Sequence, residues 1–288
     1  MRLFDSPKDP ETLFKAGIEL TKLGKNKEAL RCFEKVLKLN PQNTEALYNE
    51  GLVLNRLGKH QEAVHVFQKI LAVAPQNIAA LNNTGNELGE LGKHSEAITY
   101  YDKALEIDPH YEPALYNKAI ALSKLGHYDE AISHLDSILQ LDRQNTKSLY
   151  CKGLVFGKLK KHGQALECFE QVLKIDPSNH AALFYKGIEL AELDKHHDAI
   201  SVFDDILKEE PDNANVIYSK SCSKASIGEI DDALALLAQA ISYKGAIAKN
   251  WAIKDKSFEK LKDDPRFKVV VKDFFAGMTY ARKNDKNK

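Results

Sequence analysis

Apolar residues along the chain recur at the spacing of amphipathic helices, in pairs of helices separated by a turn. Residues 78–111 show this clearly, because their first apolar positions lie three or four residues apart, as on one face of an α-helix. These positions are Leu81, Gly85 and Leu88. Gly92 indicates the end of this helix, and a second apolar series runs from Ala97 to Leu105 before Pro109 stops it. The segment therefore predicts a helical hairpin.

The hairpin pattern repeats every 34 residues along most of the chain. One register holds a small residue in every copy: Gly17, Gly51, Gly85, Ala119, Gly153, Gly187 and Ser221. A second register holds alanine in every copy, from Ala29 to Ala233. A glycine inside a helix costs about 1 kcal/mol relative to alanine. Its recurrence therefore indicates that the two helices of each hairpin pack closely.

Aromatic and proline residues complete the register. The aromatic position is Phe33, Phe67, Tyr101, Phe169 and Phe203, with Leu135 and Leu237 in two copies. The proline position is Pro41, Pro75, Pro109, Pro177 and Pro211, with Arg143 and Gly245 in the same two copies. This register of large apolar, small, alanine, aromatic and proline residues resembles the tetratricopeptide repeat (TPR) family. The resemblance implies an all-α fold, a right-handed α-solenoid (superhelix) of antiparallel helix hairpins.

The resemblance covers about residues 10–247 and gives seven repeats in one uninterrupted array. Their expected bounds are 10–43, 44–77, 78–111, 112–145, 146–179, 180–213 and 214–247. We expect residues 1–9 to form an N-terminal arm and residues 281–288 a disordered tail. Residues 248–280 should form a helical cap, because the last hairpin would otherwise expose its apolar face.

The composition of the chain argues against several classes of function and location. The chain has 41 Lys and Arg residues and 41 Asp and Glu residues, so its net charge predicts no general attraction to nucleic acid or membranes. No apolar run approaches the roughly 18 residues of a membrane span, and the first residues lack the apolar core of a secretory signal. We therefore expect a soluble cytoplasmic protein. Residues 246–288 contain twelve basic and six acidic residues, which leaves nucleic-acid binding through a basic cap as a weaker alternative.

The sequence offers little catalytic or metal-binding chemistry. Its four cysteines have no CxxC spacing, so buried structural thiols are favoured over redox or metal roles. Four of the ten histidines, His60, His94, His162 and His196, lie one or two repeats apart, too far to share an ion. Glycine-rich phosphate loops and the GxSxG and HExxH motifs are absent. We expect no enzymatic activity, no bound metal and no cofactor.

The TPR resemblance implies that the first helices of the hairpins line a concave groove. Asn49, Asn83 and Asn117 occupy one such position in three consecutive repeats, and Asn86 lies one turn after Asn82. An amide both donates and accepts hydrogen bonds, so a row of amides can pair with the backbone of an extended peptide. This row predicts peptide binding, although asparagine is also common at this position in the family.

An aromatic row precedes the asparagine row by one residue. It consists of Phe14, Tyr48, Tyr116, Tyr150, Phe184 and Tyr218, with Asn82 in the third repeat. These rings suit the side chains of a bound peptide, and packing between hairpins is an equally good interpretation for each of them. The carboxylate clamp of some chaperone-binding TPR domains has counterparts only at Asn86, Asn117 and Lys147, since Asn82 and Cys151 stand where that clamp is basic.

A further row of lysines precedes the small residues. Its members are Lys118, Lys152, Lys186 and Lys220. We interpret them as side chains that lie along the hairpin, and a basic strip for an acidic partner is the alternative. Together these patterns predict a non-enzymatic interaction scaffold that binds a peptide segment of a protein partner. Self-association into a homo-oligomer is a second hypothesis.

Overall fold

The computed structural model describes residues 9–272, and this part of the chain consists of α-helices, one 3-10 helix and short turns, without a β-strand. Residues 1–8 of the predicted arm, residues 273–280 of the predicted cap and the predicted tail at 281–288 lie outside the described residues. The chain divides into two compact units, unit 1 (Met1–Ser148) and unit 2 (Leu149–Lys288).

Helices of nearly constant length follow one another along the chain. The first eight are α1 (Pro10–Lys22), α2 (Asn26–Leu39), α3 (Thr44–Arg56), α4 (His60–Val73), α5 (Ile78–Glu90), α6 (His94–Ile107), α7 (Glu112–Leu125) and α8 (Tyr128–Leu141). The next six are α9 (Thr146–Lys158), α10 (His162–Ile175), α11 (His180–Glu192), α12 (His196–Glu209), α13 (Ala214–Ser226) and α14 (Ile230–Lys244). The last three are α15 (Ala246–Lys254), the 3-10 helix η1 (Lys256–Leu261) and α16 (Pro265–Lys272).

Neighbouring helices pack against each other in chain order. In unit 1 each helix from α1 to α8 contacts the next, and in unit 2 the same holds from α10 to α15. Each second helix buries one face, as α4 does with Ala63, Val66, Phe67 and Ile70. Because these faces are covered by adjacent helices, each unit has a row of small cores instead of a single central one. The predicted all-α solenoid of helix hairpins is confirmed.

The glycine register lets an aromatic ring lie directly on the backbone of the first helix. A Cβ atom placed on Gly85 would lie 2.5 Å from Cε1 of Tyr101, in the second helix of the same hairpin, which is closer than real Cβ atoms come. The same close contact between glycine and ring occurs in four other hairpins: Gly17 with Phe33, Gly51 with Phe67, Gly153 with Phe169 and Gly187 with Phe203. The two hairpins without this glycine carry leucine instead of a ring, with Ala119 and Leu135 in one and Ser221 and Leu237 in the other. Ring and glycine therefore occur together.

The loops between hairpins are fixed by asparagine caps. The side chains of Asn43, Asn77, Asn145, Asn179 and Asn213 each accept a hydrogen bond from a backbone N–H in the first turn of the next helix. The missing prolines have different effects. Where Arg143 replaces the proline, α8 still ends two residues earlier, at Leu141, as the helices before a proline do. Where Gly245 replaces it, α14 extends to Lys244 and ends at Gly245, whose φ is 54°.

A helical cap closes the last hairpin of unit 2. Helices α15 and α16 pack on α14, and η1 packs on α13. Phe258, Phe267 and Val270 of this cap are almost completely buried in one core with residues of α13 and α14. Asp255 joins the two parts, because its carboxylate accepts hydrogen bonds from the hydroxyl of Tyr218 and from the backbone N–H of Ser257.

Candidate peptide-binding surface

Side chains of consecutive first helices are hydrogen-bonded to each other across unit 1. Nδ2 of Asn83 in α5 donates a hydrogen bond to the hydroxyl of Tyr48 in α3, at 3.2 Å. One repeat later, Nδ2 of Asn117 in α7 donates to Oδ1 of Asn82 in α5, at 3.1 Å. Asn82 replaces an aromatic residue of the predicted row, yet it supplies an acceptor oxygen as Tyr48 does. These bonds bring the two predicted rows together on α3, α5 and α7.

The predicted asparagines keep unused hydrogen-bonding groups. Asn49 donates to a backbone carbonyl of its own helix at 2.8 Å, and Asn86 accepts a hydrogen bond from the hydroxyl of Tyr101 at 2.9 Å. The side-chain carbonyl oxygens of Asn49, Asn83 and Asn117 accept no hydrogen bond from residues 9–272. All three residues are partly exposed. Unit 1 therefore presents three amide acceptors at equivalent positions, one repeat apart.

Two predicted aromatic residues of unit 1, Phe14 and Tyr48, pack within their own hairpins. The ring of Phe14 lies 5.8 Å from that of Phe33, and the ring of Tyr48 lies 6.0 Å from that of Phe67, both in edge-to-face geometry. Tyr48 nevertheless remains partly exposed, as does Tyr116. Tyr48 thus both supports its hairpin and contributes a hydroxyl to the polar surface.

In unit 2 the predicted aromatic residues are divided between two environments. Tyr150 and Phe184 are partly exposed, and both contact Tyr185, at ring distances of 5.8 and 5.5 Å. Sequence reasoning did not single out Tyr185. Tyr218, in contrast, is only 8% exposed and donates a hydrogen bond to Asp255 of the cap. Tyr218 therefore packs against the cap, which covers most of its side chain.

The lysine row carries little free charge. Lys118 forms an ion pair with Asp102 at 2.6 Å, and Lys186 forms one with Glu170 at 3.2 Å. Lys220 pairs with Asp204 in the same way. Each carboxylate comes from the preceding second helix, so these lysines link adjacent hairpins, as their interpretation as packed side chains implies. Lys147, in the first turn of α9, is exposed.

An open pocket of about 570 Å³ lies beside the asparagine surface of unit 1. Asn86 and Asn117, two of the predicted site residues, line it. The other side chains that matter for its chemistry are Glu90, His94, Ala121 and Lys124. The pocket is therefore an extension of the predicted site that the sequence did not reveal, because its walls come from three different hairpins.

The cysteines are free thiols in sheltered positions. Burial raises the pKa of Cys151 to about 11, and it also raises the pKa of Cys32 and, more strongly, of Cys222. A thiol that stays protonated at neutral pH is a poor nucleophile. Among residues 9–272, no three His, Cys, Asp or Glu side chains are arranged to hold a metal ion. No helix in the same range has the length and apolar character that a bilayer crossing requires.

Solved structures with a similar fold include TPR proteins and a type IV pilus biogenesis factor. A tetratricopeptide repeat protein from Parabacteroides merdae has a TM-score of 0.68 and 20% identity, covering 84% of this chain and 96% of its own. PilW, a type IV pilus biogenesis factor, has a TM-score of 0.65 and 22% identity over 70% of this chain and 94% of its own. YrrB, described as a TPR protein with an unusual peptide-binding site, has a TM-score of 0.52 and 23% identity over 63% and 94%.

Family models agree with these structures. No curated protein sequence matches the chain. Models described as tetratricopeptide repeat match residues 43–110, 90–150 and 146–179, and a model described as TPR repeat matches residues 17–58. The matched segments overlap or adjoin without a gap, and they carry the same glycine, alanine and aromatic register that the packing explains. The chain belongs to the tetratricopeptide repeat family.

Proposed function

We propose that the protein is a non-enzymatic scaffold that binds an extended peptide segment of a partner on the first helices of unit 1. The observation that carries this proposal is the set of unused carbonyl oxygens on Asn49, Asn83 and Asn117. Backbone N–H groups of an extended peptide can donate to such a row, whatever the peptide's side chains are. The TPR fold, which generally serves protein–protein interaction, and a relative described as having a peptide-binding site support the same conclusion.

The hydrogen bonds within the row favour binding by a preformed surface. Asn83 is held by Tyr48, and Asn117 is held by Asn82. A side chain that is already fixed by one hydrogen bond loses less conformational freedom when a ligand uses its remaining groups. The row can therefore bind without first being ordered.

A pulldown from cell extract tests the proposal. The test variant combines Asn49→Ala, Asn83→Ala and Asn117→Ala, and it should lose most of the partners recovered by the unchanged protein. The control variant combines Gln61→Ala and Ser95→Ala, two exposed positions on second helices of the same unit, and it should keep them. Circular dichroism must show that both variants stay folded. Equal recovery of partners by the folded test variant would contradict the proposal.

A further inference from the structure

A buried histidine–glutamate pair recurs in the array. Nδ1 of His60, at the start of α4, lies 2.8 Å from Oε2 of Glu87 in α5. In unit 2, Nδ1 of His162 lies 2.7 Å from Oε2 of Glu189, at the same register. These glutamates are only 3% and 5% exposed. A carboxylate so deeply buried needs partners to offset its lost hydration, so the fold provides a carboxylate-binding position here.

The contacts of Glu87 show how this position holds a carboxylate. One oxygen of Glu87 faces His60, and the other accepts a hydrogen bond from Nδ2 of Asn55 at 2.7 Å. The carboxylate therefore lies between a ring nitrogen from the second helix of one repeat and an amide from its first helix. The glutamate itself comes from the first helix of the next repeat.

The next repeat of unit 1 has the histidine but lacks the glutamate. His94 occupies the position of His60, and Ala121 occupies the position of Glu87. A methyl group cannot reach the imidazole, and neither ring nitrogen of His94 has a hydrogen-bond partner among residues 9–272. The pocket of about 570 Å³ lies at this point, lined by both residues.

Unused hydrogen-bond donors surround this pocket. Asn86 accepts a hydrogen bond from Tyr101 through its oxygen, which leaves its amide N–H groups without a partner in the described range. Lys124 is exposed there and has no ion pair with residues 9–272. Glu90 is the only carboxylate among the described residues that line the pocket. The local chemistry is therefore weighted toward groups that bind an anion.

We propose that this pocket binds the carboxylate of an aspartate or glutamate side chain from the bound peptide. The ligand carboxylate takes the place opposite His94 that the chain's own Glu87 takes opposite His60, and Lys124 and Asn86 supply further donors. The inference rests on the proposed peptide-binding function, because the pocket shares Asn86 and Asn117 with that surface. The pocket would add a preference for acidic side chains, whereas the asparagine row hydrogen-bonds only to the backbone of the peptide.

A second pocket, in unit 2, provides a comparison for the residues to which we assign the preference. It has a volume of about 540 Å³ and is lined at the same register by His196 and Ser223, so the glutamate is missing there as well. However, Ser226 replaces Lys124 and Ile188 replaces Asn86. Three carboxylates, those of Glu192, Asp194 and Asp255, line the pocket with a single lysine, Lys256. The two donors that Asn86 and Lys124 supply in unit 1 are missing at this register, and the carboxylates outnumber the lysine. We therefore expect no acidic preference in this pocket.

A binding experiment with two small probes tests the inference. The probes are N-acetyl-glutamate N-methylamide and its glutamine counterpart, titrated into the full chain while NMR follows the His94 ring and the Asn86 side-chain amide. The acidic probe should shift these signals at a concentration about tenfold lower than the neutral one, as expected for a charge-assisted hydrogen bond. Equal affinity for the two probes, or shifts that avoid His94 and Asn86, would overturn the inference.

Two variants with the same substitution locate the effect. Ala121→Glu places the chain's own carboxylate opposite His94, so it should weaken the acidic probe at least about tenfold. Ser223→Glu makes the same change in the unit 2 pocket and should leave probe binding unchanged. Undiminished binding to a folded Ala121→Glu variant also overturns the inference.

The partner pulldown separates this inference from the proposed function. One outcome contradicts only the acidic pocket: the asparagine variant loses its partners, Ala121→Glu keeps them, and the acidic probe binds no more tightly than the neutral one. The opposite outcome contradicts only peptide binding by the asparagine row: the asparagine variant keeps its partners, while the acidic probe still binds preferentially at His94.

Discussion

At the scale of single residues, the glycine positions carry a stability prediction whose sign opposes helix propensity. Gly85→Ala would place a Cβ atom 2.5 Å from the ring of Tyr101, which is 3% exposed and hydrogen-bonded to Asn86. Alanine gains up to about 1 kcal/mol of helix propensity, whereas overpacking a fixed ring costs about 1–3 kcal/mol. We expect a net loss of about 1 kcal/mol or more in the free energy of unfolding, measured in urea.

Gly89 provides the matched control for this substitution. It lies one turn later in α5, and a Cβ atom there would meet only the hydroxyl of Tyr101, at 3.9 Å. Gly89→Ala should therefore leave stability unchanged or raise it by up to about 1 kcal/mol. If both alanine variants were equally stable, close packing against the ring would not be the reason for glycine at residue 85.

The sequence predicted the small residue but not its partner. A glycine recurring inside helices indicates close contact, and the ring that makes the contact lies 16 residues later in the same hairpin, as Gly85 and Tyr101 show. The exchange of both residues together, as in Ala119 with Leu135, was visible in the sequence. The physical reason for this paired exchange depends on which helix faces pack together, and a periodic sequence pattern alone does not specify that packing.

At the scale of helices, an ion-pair cluster joins α11 to the end of α12 and predicts a pH dependence. Nδ1 of His180 lies 2.6 Å from Glu210, and Nε2 lies 3.0 Å from Glu209. Hydrogen bonding to Glu210 raises the pKa of His180 above its ordinary value of 6.5. Hydrogen bonds from Asn213 and His180 lower the pKa of Glu210 below its ordinary value of 4.5. The charged forms of both residues therefore predominate between these two ordinary values.

The sign of the effect follows from these two shifts. A raised histidine pKa stabilises the fold below pH 6.5, and this contribution is lost as pH rises through the folded-state pKa of His180. The contribution of Glu210 is present above pH 4.5 and is lost as pH falls through its own lowered pKa. Glu210→Gln should return the pKa of His180 toward 6.5 in an NMR titration.

Glu209→Gln is the control for the titration. Glu209 contributes less than Glu210 to the raised pKa of His180, so this variant should lower that pKa by a smaller amount. An unchanged titration of His180 in the Glu210→Gln variant would show that the two helices are not joined by this pair.

The candidate site was less predictable from the sequence than the helices were. The 34-residue register placed asparagines on successive first helices, because their position within each repeat is the same. It could not show that Asn117 donates to Asn82, or that a missing glutamate at residue 121 leaves a pocket. Such features depend on contacts between different repeats. Tyr218 illustrates the reverse case, because its register position matches the row but the cap covers it.

At the scale of the whole molecule, the C-terminal cap completes a core that the last hairpin cannot bury alone. The 34-residue register ends near residue 247. One cluster of buried residues nevertheless continues from α13 and α14 into the cap. Phe258 is 0% exposed in this cluster, with its ring 5.6 Å from that of Phe267 and 6.2 Å from that of Tyr218. The cap thus does for the last hairpin what a following repeat does for the others.

Removing the ring of Phe258 should therefore destabilise the cap and the last hairpin together. Phe258→Ala deletes a buried ring and leaves a cavity, which typically costs about 3–5 kcal/mol. Trp251 is the only tryptophan of the chain and lies 5.2 Å from Tyr218, so its fluorescence during urea unfolding reports on this region. Ile253→Ala, at a position of α15 that is 49% exposed, is the control and should change stability by less than about 0.5 kcal/mol. If the fluorescence midpoint of Phe258→Ala matched that of the control, the cap would not share a core with the last hairpin.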